Sequence, residues 1–321
     1  METQFDAFVT EALFDSEGAV FALGDGAIGW EDGRRTLAHD GATLCATVHP
    51  SGQGVISGGD DGQLIWSTRS QTDVLATVGR AWIDAVAANP ASGLIAFASG
   101  KTVGVRDSAS STFQRSFSHA ATVSALAFDA KGRRLAAATY GGMALWYARI
   151  ADQKPVMLRW AGSHIAAQFS PDGKFLISSM QEAALHGWRL ADAKDMRMGG
   201  YPAKVKSLAF LENGLWLATS GARGVVVWPF GGANGPMGKQ ALEIGVDEQA
   251  LVTRIAADPI GASLAAGLDD GRIWTCDLRT SKIENRREPT GAPICALALA
   301  GDQLAWGDEN GAAGVLRLDR P

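Results

Sequence analysis

The chain has 321 residues, is 46% hydrophobic and 20% charged, and carries a net charge of -5 with acids and bases mixed along its length. Such a composition suits a globular protein that buries a large core. It argues against nucleic acid or an anionic membrane as partner, because no basic block exists to release counterions, and no run nears the roughly 18 apolar residues that cross a bilayer.

Read from the N-terminus, the opening METQFDAFVTEALF is acidic and lacks a basic segment followed by an apolar one, so no signal peptide is expected. One turn-and-strand phrase then returns eight times. It reads DSEGAVFAL from Asp15, HPSGQGVIS from His49, NPASGLIAF from Asn89 and DAKGRRLAA from Asp129. SPDGKFLISS follows from Ser170, LENGLWLAT from Leu211, DPIGASLAA from Asp258 and AGDQLAW from Ala300. Pro, Asp and Gly make the turn, and the apolar run after them makes a strand.

Each unit has one order. A short apolar first strand ends in a large residue, as in VSALAF (Val123 to Phe128) or VKSLAF (Val205 to Phe210). The turn phrase and a strand of small residues come next. A Gly- and Asp-rich hairpin such as GGDDGQ then leads to a third strand, and these tight turns make the strands antiparallel neighbours. A more polar fourth strand, such as RRTL (Arg34 to Leu37), precedes the next unit.

Ten tryptophans stand against three tyrosines, and six of the ten end third strands: Trp30, Trp66, Trp146, Trp188, Trp228 and Trp274. With Arg106 and Leu316 filling the series, the steps are 36, 40, 40, 42, 40, 46 and 42 residues. That period matches the roughly 40–45 residues of a four-stranded propeller blade. The expected fold is therefore all-β, a closed β-propeller of four-stranded antiparallel blades forming one domain over residues 1–321. Eight blades are favoured, with seven as the alternative. The eighth unit ends at VLRLDRP without a fourth strand, so either Met1 to Phe5 closes the ring or the last blade has three strands.

The segments FSPDGKFLISS, VSALAFDAKGRRLAAATYGGMALW and SGGDDGQLIW resemble the repeats of WD40 proteins, and the resemblance spans nearly the whole chain. The second half of the WD dipeptide is replaced throughout, by Glu31, Ser67, Tyr147, Arg189, Pro229 and Thr275. Unit two holds the residue types of the family's His-Ser-Asp-Trp network in His39, Ser57, Asp61 and Trp66, with the Asp-to-Trp step one residue short. Unit four keeps His119 and Trp146 but has Gly141 and Gly142 where the aspartate would sit. Trp188 and Trp228 are read as structural in the same way.

The resemblance implies a non-catalytic scaffold for a protein or peptide partner. In such proteins the partner docks on the face built by first-strand entrances and second-to-third strand hairpins. Entrances selected this way include Phe8, Thr10, Trp82, Asp84, Thr122, Ser124, Ser163, Ile165, Lys204, Lys206 and Thr253, with His164 beside them. Hairpins add Lys101, Tyr140, Glu182, Arg223 and Asp270. Trp82 is the expected anchor, and Lys204, Lys206 and Arg223 form a basic patch suited to an acidic peptide.

A search for chemistry returns little. His39 and His119 lie nine residues before the end of their first strands, at the family's structural position. His49 and His186 have no ligand-type neighbour at metal-binding spacing. GDDGQ (Gly59 to Gln63) and LDDGR (Leu268 to Arg272) lack the rest of a calcium loop. PFGGANGPMG (Pro229 to Gly238) lacks the ending of a phosphate loop, and no serine lies in GxSxG or SxxK. No metal or cofactor is expected. The alternative to a scaffold is a propeller enzyme, or an accessory protein of metal homeostasis, working in the central channel. Cys45, Cys276 and Cys295 are odd in number, far apart and outside any CxxC, which fits a reduced cytoplasmic setting. A monomer is expected.

Overall fold

The recurring turn folds as its residues require. In the copy at Ser170, the serine hydroxyl donates to Asp172 at 2.7 Å and accepts the Phe175 amide at 2.9 Å. Gly173 adopts a φ of +69° and donates its amide to the Ser170 carbonyl at 2.8 Å. Only glycine takes that conformation without strain. Asp129 plays the same part in the fourth copy, accepting the amides of Arg133 at 2.8 Å and Arg134 at 3.2 Å. With the reversal set, the apolar runs on either side pair as antiparallel strands.

In the computed structural model, which describes residues 2–318, these pairs build eight four-stranded antiparallel blades. Met1 of the expected closing segment and the final DRP lie outside the described residues. Blade one takes Val9–Asp15, Gly18–Leu23, Ala27–Trp30 and Arg35–Leu37. Blades two to seven begin at Thr43–Val48, Ala85–Asn89, Val123–Phe128, Gln168–Phe169, Leu208–Leu211 and Val252–Ala257. First strands of successive blades lie side by side, which arranges the blades about a central axis. Blade four departs in detail. Its second and third strands form one element, Arg134–Tyr147, which turns at Gly141 and Gly142 (φ +88° and +137°) and brings the Ala148 amide to the Arg133 carbonyl.

The eighth blade settles both the count and the closure. It contains Ile294–Ala300, Gln303–Asp308 and Ala312–Arg317, and its fourth strand is Glu2–Gln4 from the other end of the chain. Glu2 pairs with Gly314 and Gln4 with Ala312, and the buried Phe5 follows with its amide on the Gly311 carbonyl at 2.8 Å. The N-terminal piece therefore covers an edge that would otherwise offer unpaired backbone groups.

Side chains pack mainly in the seams between blades, where small second-strand residues such as Ala136, Ala137 and Ala138 let neighbouring sheets approach. The ladder slips near the start of the first strand in blades one, two, four, seven and eight. A bulge of this kind re-aims one side chain and frees backbone groups. Small polar residues there answer the freed carbonyls. The Thr253 hydroxyl lies 3.0 Å from the Gly267 carbonyl oxygen of its own blade and donates to that of Ile294 in the next at 2.6 Å. Cys295 likewise reaches the Val9 carbonyl at 2.8 Å, across the closing seam.

Candidate functional site

The Asp-Gly hairpin of blade two shows how residues at the first-strand entrances are held. Gly62 has a φ of +76°, and a Cβ there would lie 2.4 Å from the Gly79 carbonyl oxygen. Glycine thus lets the hairpin press on the segment entering blade three. The Ile83 amide donates to the Gly59 carbonyl at 3.0 Å, and the Ile83 side chain is fully buried. Trp82, one residue earlier, is left 61% exposed on a fixed backbone. Phe8 at the blade-one entrance is 50% exposed, its carbonyl accepting the Gly24 amide of the neighbouring hairpin. Tyr140 at the blade-four hairpin is 71% exposed. All three aromatics belong to the same face of the ring.

Of the other residues expected on this face, Asp84, Lys101, Glu182, Lys206 and Arg223 are exposed. Lys204 and Asp270 are only half exposed. Asp270 holds Arg272 at 2.6 Å, and Arg272 also binds Asp247 at 2.6 Å. Asp247 stands low in pKa through the Gln249 amide, the Arg272 hydrogen bond and the nearby positive charges, Arg223 among them. The basic patch around Arg223 is therefore partly neutralised by Asp247, which the linear reading did not name. His164 requires correction. It is wholly buried, with Nδ1 at 2.9 Å from the Ser178 hydroxyl and Nε2 at 3.2 Å from the Trp160 carbonyl oxygen, so it supports the core and no partner can touch it.

The structural network of blade two forms with three members. His39 Nε2 lies 2.8 Å from the Ser57 hydroxyl, and Nδ1 lies 3.1 Å from Asp61. Burial opposes the charge on Asp61, but the Gln63 amide, the His39 ring and the Asp40 amide together hold its carboxyl below the usual range. Trp66 stays outside. Ser57 faces Ile65 across the ladder and Ile56 faces Trp66, so the one-residue shortfall turns the indole to the other side of the sheet. There it stacks on His49 at 4.4 Å and donates to the Gln53 carbonyl at 2.8 Å.

Blade four keeps the His–Trp contact, with the Trp146 indole N–H donating to His119 Nε2 at 3.0 Å. An indole N–H only donates, so Nε2 is the acceptor and Nδ1 carries the proton toward the Lys101 carbonyl at 3.3 Å. Blade six holds a version that the search for histidines missed. The Tyr201 hydroxyl lies 2.7 Å from the Thr219 hydroxyl and accepts the Trp228 indole N–H at 2.7 Å. The signal was present in the numbering. Tyr201 precedes Thr219 by 18 residues, as His39 precedes Ser57, and precedes Trp228 by 27, as His119 precedes Trp146.

Glu11, Cys45, Arg254 and Cys295 lie on first strands, and Asp84 directly precedes one. Burial pushes the Glu11 carboxyl up, against the pull of Arg254. Burial likewise raises all three thiols, Cys295 to about 12, which keeps them protonated and poor nucleophiles near neutral pH. Among the described residues no three His, Cys, Asp or Glu side chains gather as a metal-binding group, and no helix is long and apolar enough to cross a membrane.

Residues 33–66 match the family model described as WD domain, G-beta repeat (WD40), over the stretch that contains His39, Ser57, Asp61 and Trp66. The chain is an eight-bladed β-propeller that carries one matched WD40 repeat. No curated protein matches its sequence. Among solved structures, the computationally designed Ika8 protein is similar with a TM-score of 0.77 at 18% identity, with 98% of each chain covered. A chain in a crystal structure of a mitotic checkpoint complex is similar with a TM-score of 0.67 at 15% identity, covering 98% of this chain and 94% of that one. At such identities the likeness concerns the fold. The matched repeat is the one that holds the His39–Ser57–Asp61 network, while blade six places Tyr201 against Thr219 and Trp228 and blade three ends its third strand near Arg106.

Proposed function

We propose that this WD40 propeller is a non-catalytic scaffold, a monomer of the cytoplasm acting as one domain, that binds a protein or peptide on the face of first-strand entrances and hairpins. The carrying observation is the exposure of Phe8, Trp82 and Tyr140 on that one face, each beside backbone locked by hairpin hydrogen bonds or by glycine. Interface energy concentrates in aromatic and arginine anchors, and an anchor already held in place loses little entropy on binding. Lys206 and Arg223 would steer an acidic segment toward the aromatics, with Lys101 and Glu182 at the rim. The raised thiol pKa values and the absence of catalytic motifs are in keeping with a role that involves no chemical step.

The test begins with capture of the partner from the native cell by the wild-type chain, identified by mass spectrometry and then purified. Trp82→Ala or Tyr140→Ala should weaken its binding by about tenfold or more, and Lys206→Glu should weaken it and reduce its salt dependence. Melting temperatures should stay where they are, since these side chains are exposed. Unchanged affinity in both aromatic variants would put the working surface elsewhere.

A further inference from the structure

A cleft of about 500 Å³ opens in the seam between blades two and three, and neither Phe8, Trp82 nor Tyr140 lines it. Its origin is readable by stepping back 40 residues from blade four. There, Phe117, His119 and Trp146 fill the seam, with Trp146 stacked on Phe117 at 4.5 Å and bonded to His119. The corresponding residues one blade earlier are Thr77, Gly79 and Arg106. A Cβ at Gly79 would meet nothing within 4 Å, so the space a histidine would use stays open. Gly104, two residues before Arg106, adds no side chain, and the Phe97 ring lies over it to form an apolar floor.

Arg106 is half buried on this wall, and among the described residues its guanidinium has no hydrogen bond, ion pair or ring partner. The adjacent carboxylate, Asp107, is turned to the other side of the sheet and engaged by Arg149 at 2.6 Å. Arg115 is likewise occupied, by the carbonyls of Arg149 and Gln114. Around the cleft the side chains of Thr77, Thr102, Gln114 and Ser116 make no hydrogen bond among the described residues. A cleft of this size, apolar on one side with one unpartnered cation and several free polar groups on the other, is of the kind that small ligands occupy.

We infer that this seam binds a small aromatic anion, its ring lying on Phe97 in the space that Trp146 fills one blade later and its carboxylate or phosphate on Arg106. A guanidinium suits either group because its fork of donors matches two oxygens at once. The inference is independent of the partner-binding face, since none of the residues proposed there line the cleft.

Phenyl phosphate is the probe, with inorganic phosphate and phenol as its separate halves, titrated by ligand-observed NMR and calorimetry. Phenyl phosphate should bind saturably with a Kd on the order of millimolar or tighter, about tenfold better than either half. Arg106→Gln, a change at a partly exposed site, should weaken it by about tenfold while leaving the melting temperature unchanged. Arg106→Trp, which leaves Gly79 in its left-handed conformation and puts the blade-four side chain into the cleft, should abolish binding. Absence of saturable binding, equal binding of inorganic phosphate, or undiminished binding in Arg106→Gln would each overturn the assignment. The last comparison decides on its own if the Arg106→Trp variant does not fold.

Discussion

Blades three and four share a backbone plan and differ in what ends the third strand. In blade four, Trp146 is buried, stacks on Phe117 of the blade before it and donates a hydrogen bond to His119. In blade three, Arg106 stands at the same place without a partner among the described residues, and the seam is open. The propeller tolerates both because each blade's sheet is held by its own ladder, while the seams are filled side chain by side chain. Repeat proteins divide their stability in this way, between units and the interfaces of neighbours. A weak seam therefore leaves the ring intact and creates a place for something else.

The largest test of the comparison sets the two positions against each other. Trp146→Ala should cost about 3–5 kcal/mol, the range for removing a buried aromatic, and should leave His119 without its donor. Arg106→Ala should stay within about 0.5 kcal/mol, as expected for a partly exposed residue whose contacts are few. Equal losses in chemical denaturation would mean that the seams are not built as described.

Blade five sharpens the contrast through pH. His186 occupies the position two residues before its tryptophan, where blade three has Gly104 and blade four Ala144. It is wholly buried, stacked on Trp160 at 3.9 Å, and its ring nitrogens have no hydrogen-bond partner; Asp195 lies 3.5 Å from Nε2. Burial lowers its pKa to about 4, against the attraction of Asp195. The unfolded chain would protonate this histidine near 6.5, before the folded chain does. Its contribution is therefore complete above that pH and is lost as pH falls toward about 4, by up to roughly 3 kcal/mol. His186→Leu should flatten that part of the pH–stability curve, measured as the difference from wild type at each pH. A parallel pair of curves would refute the assignment.

A smaller effect is expected in blade six. Tyr201→Phe keeps the ring and deletes only the hydroxyl that joins Thr219 and Trp228. The loss should be about 1–2 kcal/mol, because the indole N–H of the partly buried Trp228 is left without its acceptor. Tyr201→His would test whether the two forms of the network are interchangeable, and should recover part of the loss if they are.

Much of this was legible before any coordinates. The eight turns, the 40-residue step and the alternation of strand and hairpin follow from local backbone chemistry, and local chemistry is written in short words such as SPDGK. The exposure of Trp82 was also legible, since its position relative to the first strand places it outside the core. The fourth member of the blade-two network was not, because a one-residue difference in step reverses a side chain's facing. Nor was the burial of His164, which depends on the Trp160 carbonyl and Ser178 converging on it from opposite sides in space.

By itself, then, the sequence determined the repeat, its period and its all-β character, because these rest on contacts between residues a few places apart. The tertiary structure decided what depends on partners far along the chain. Glu2–Gln4 completes the eighth blade across more than 300 residues of separation, Asp247 tempers the basic patch, and Gly79 and Arg106 leave one seam open. The physical reason is common to all three: a ladder edge, a charge interaction and a cleft are properties of two surfaces brought together, and neither surface carries the information alone.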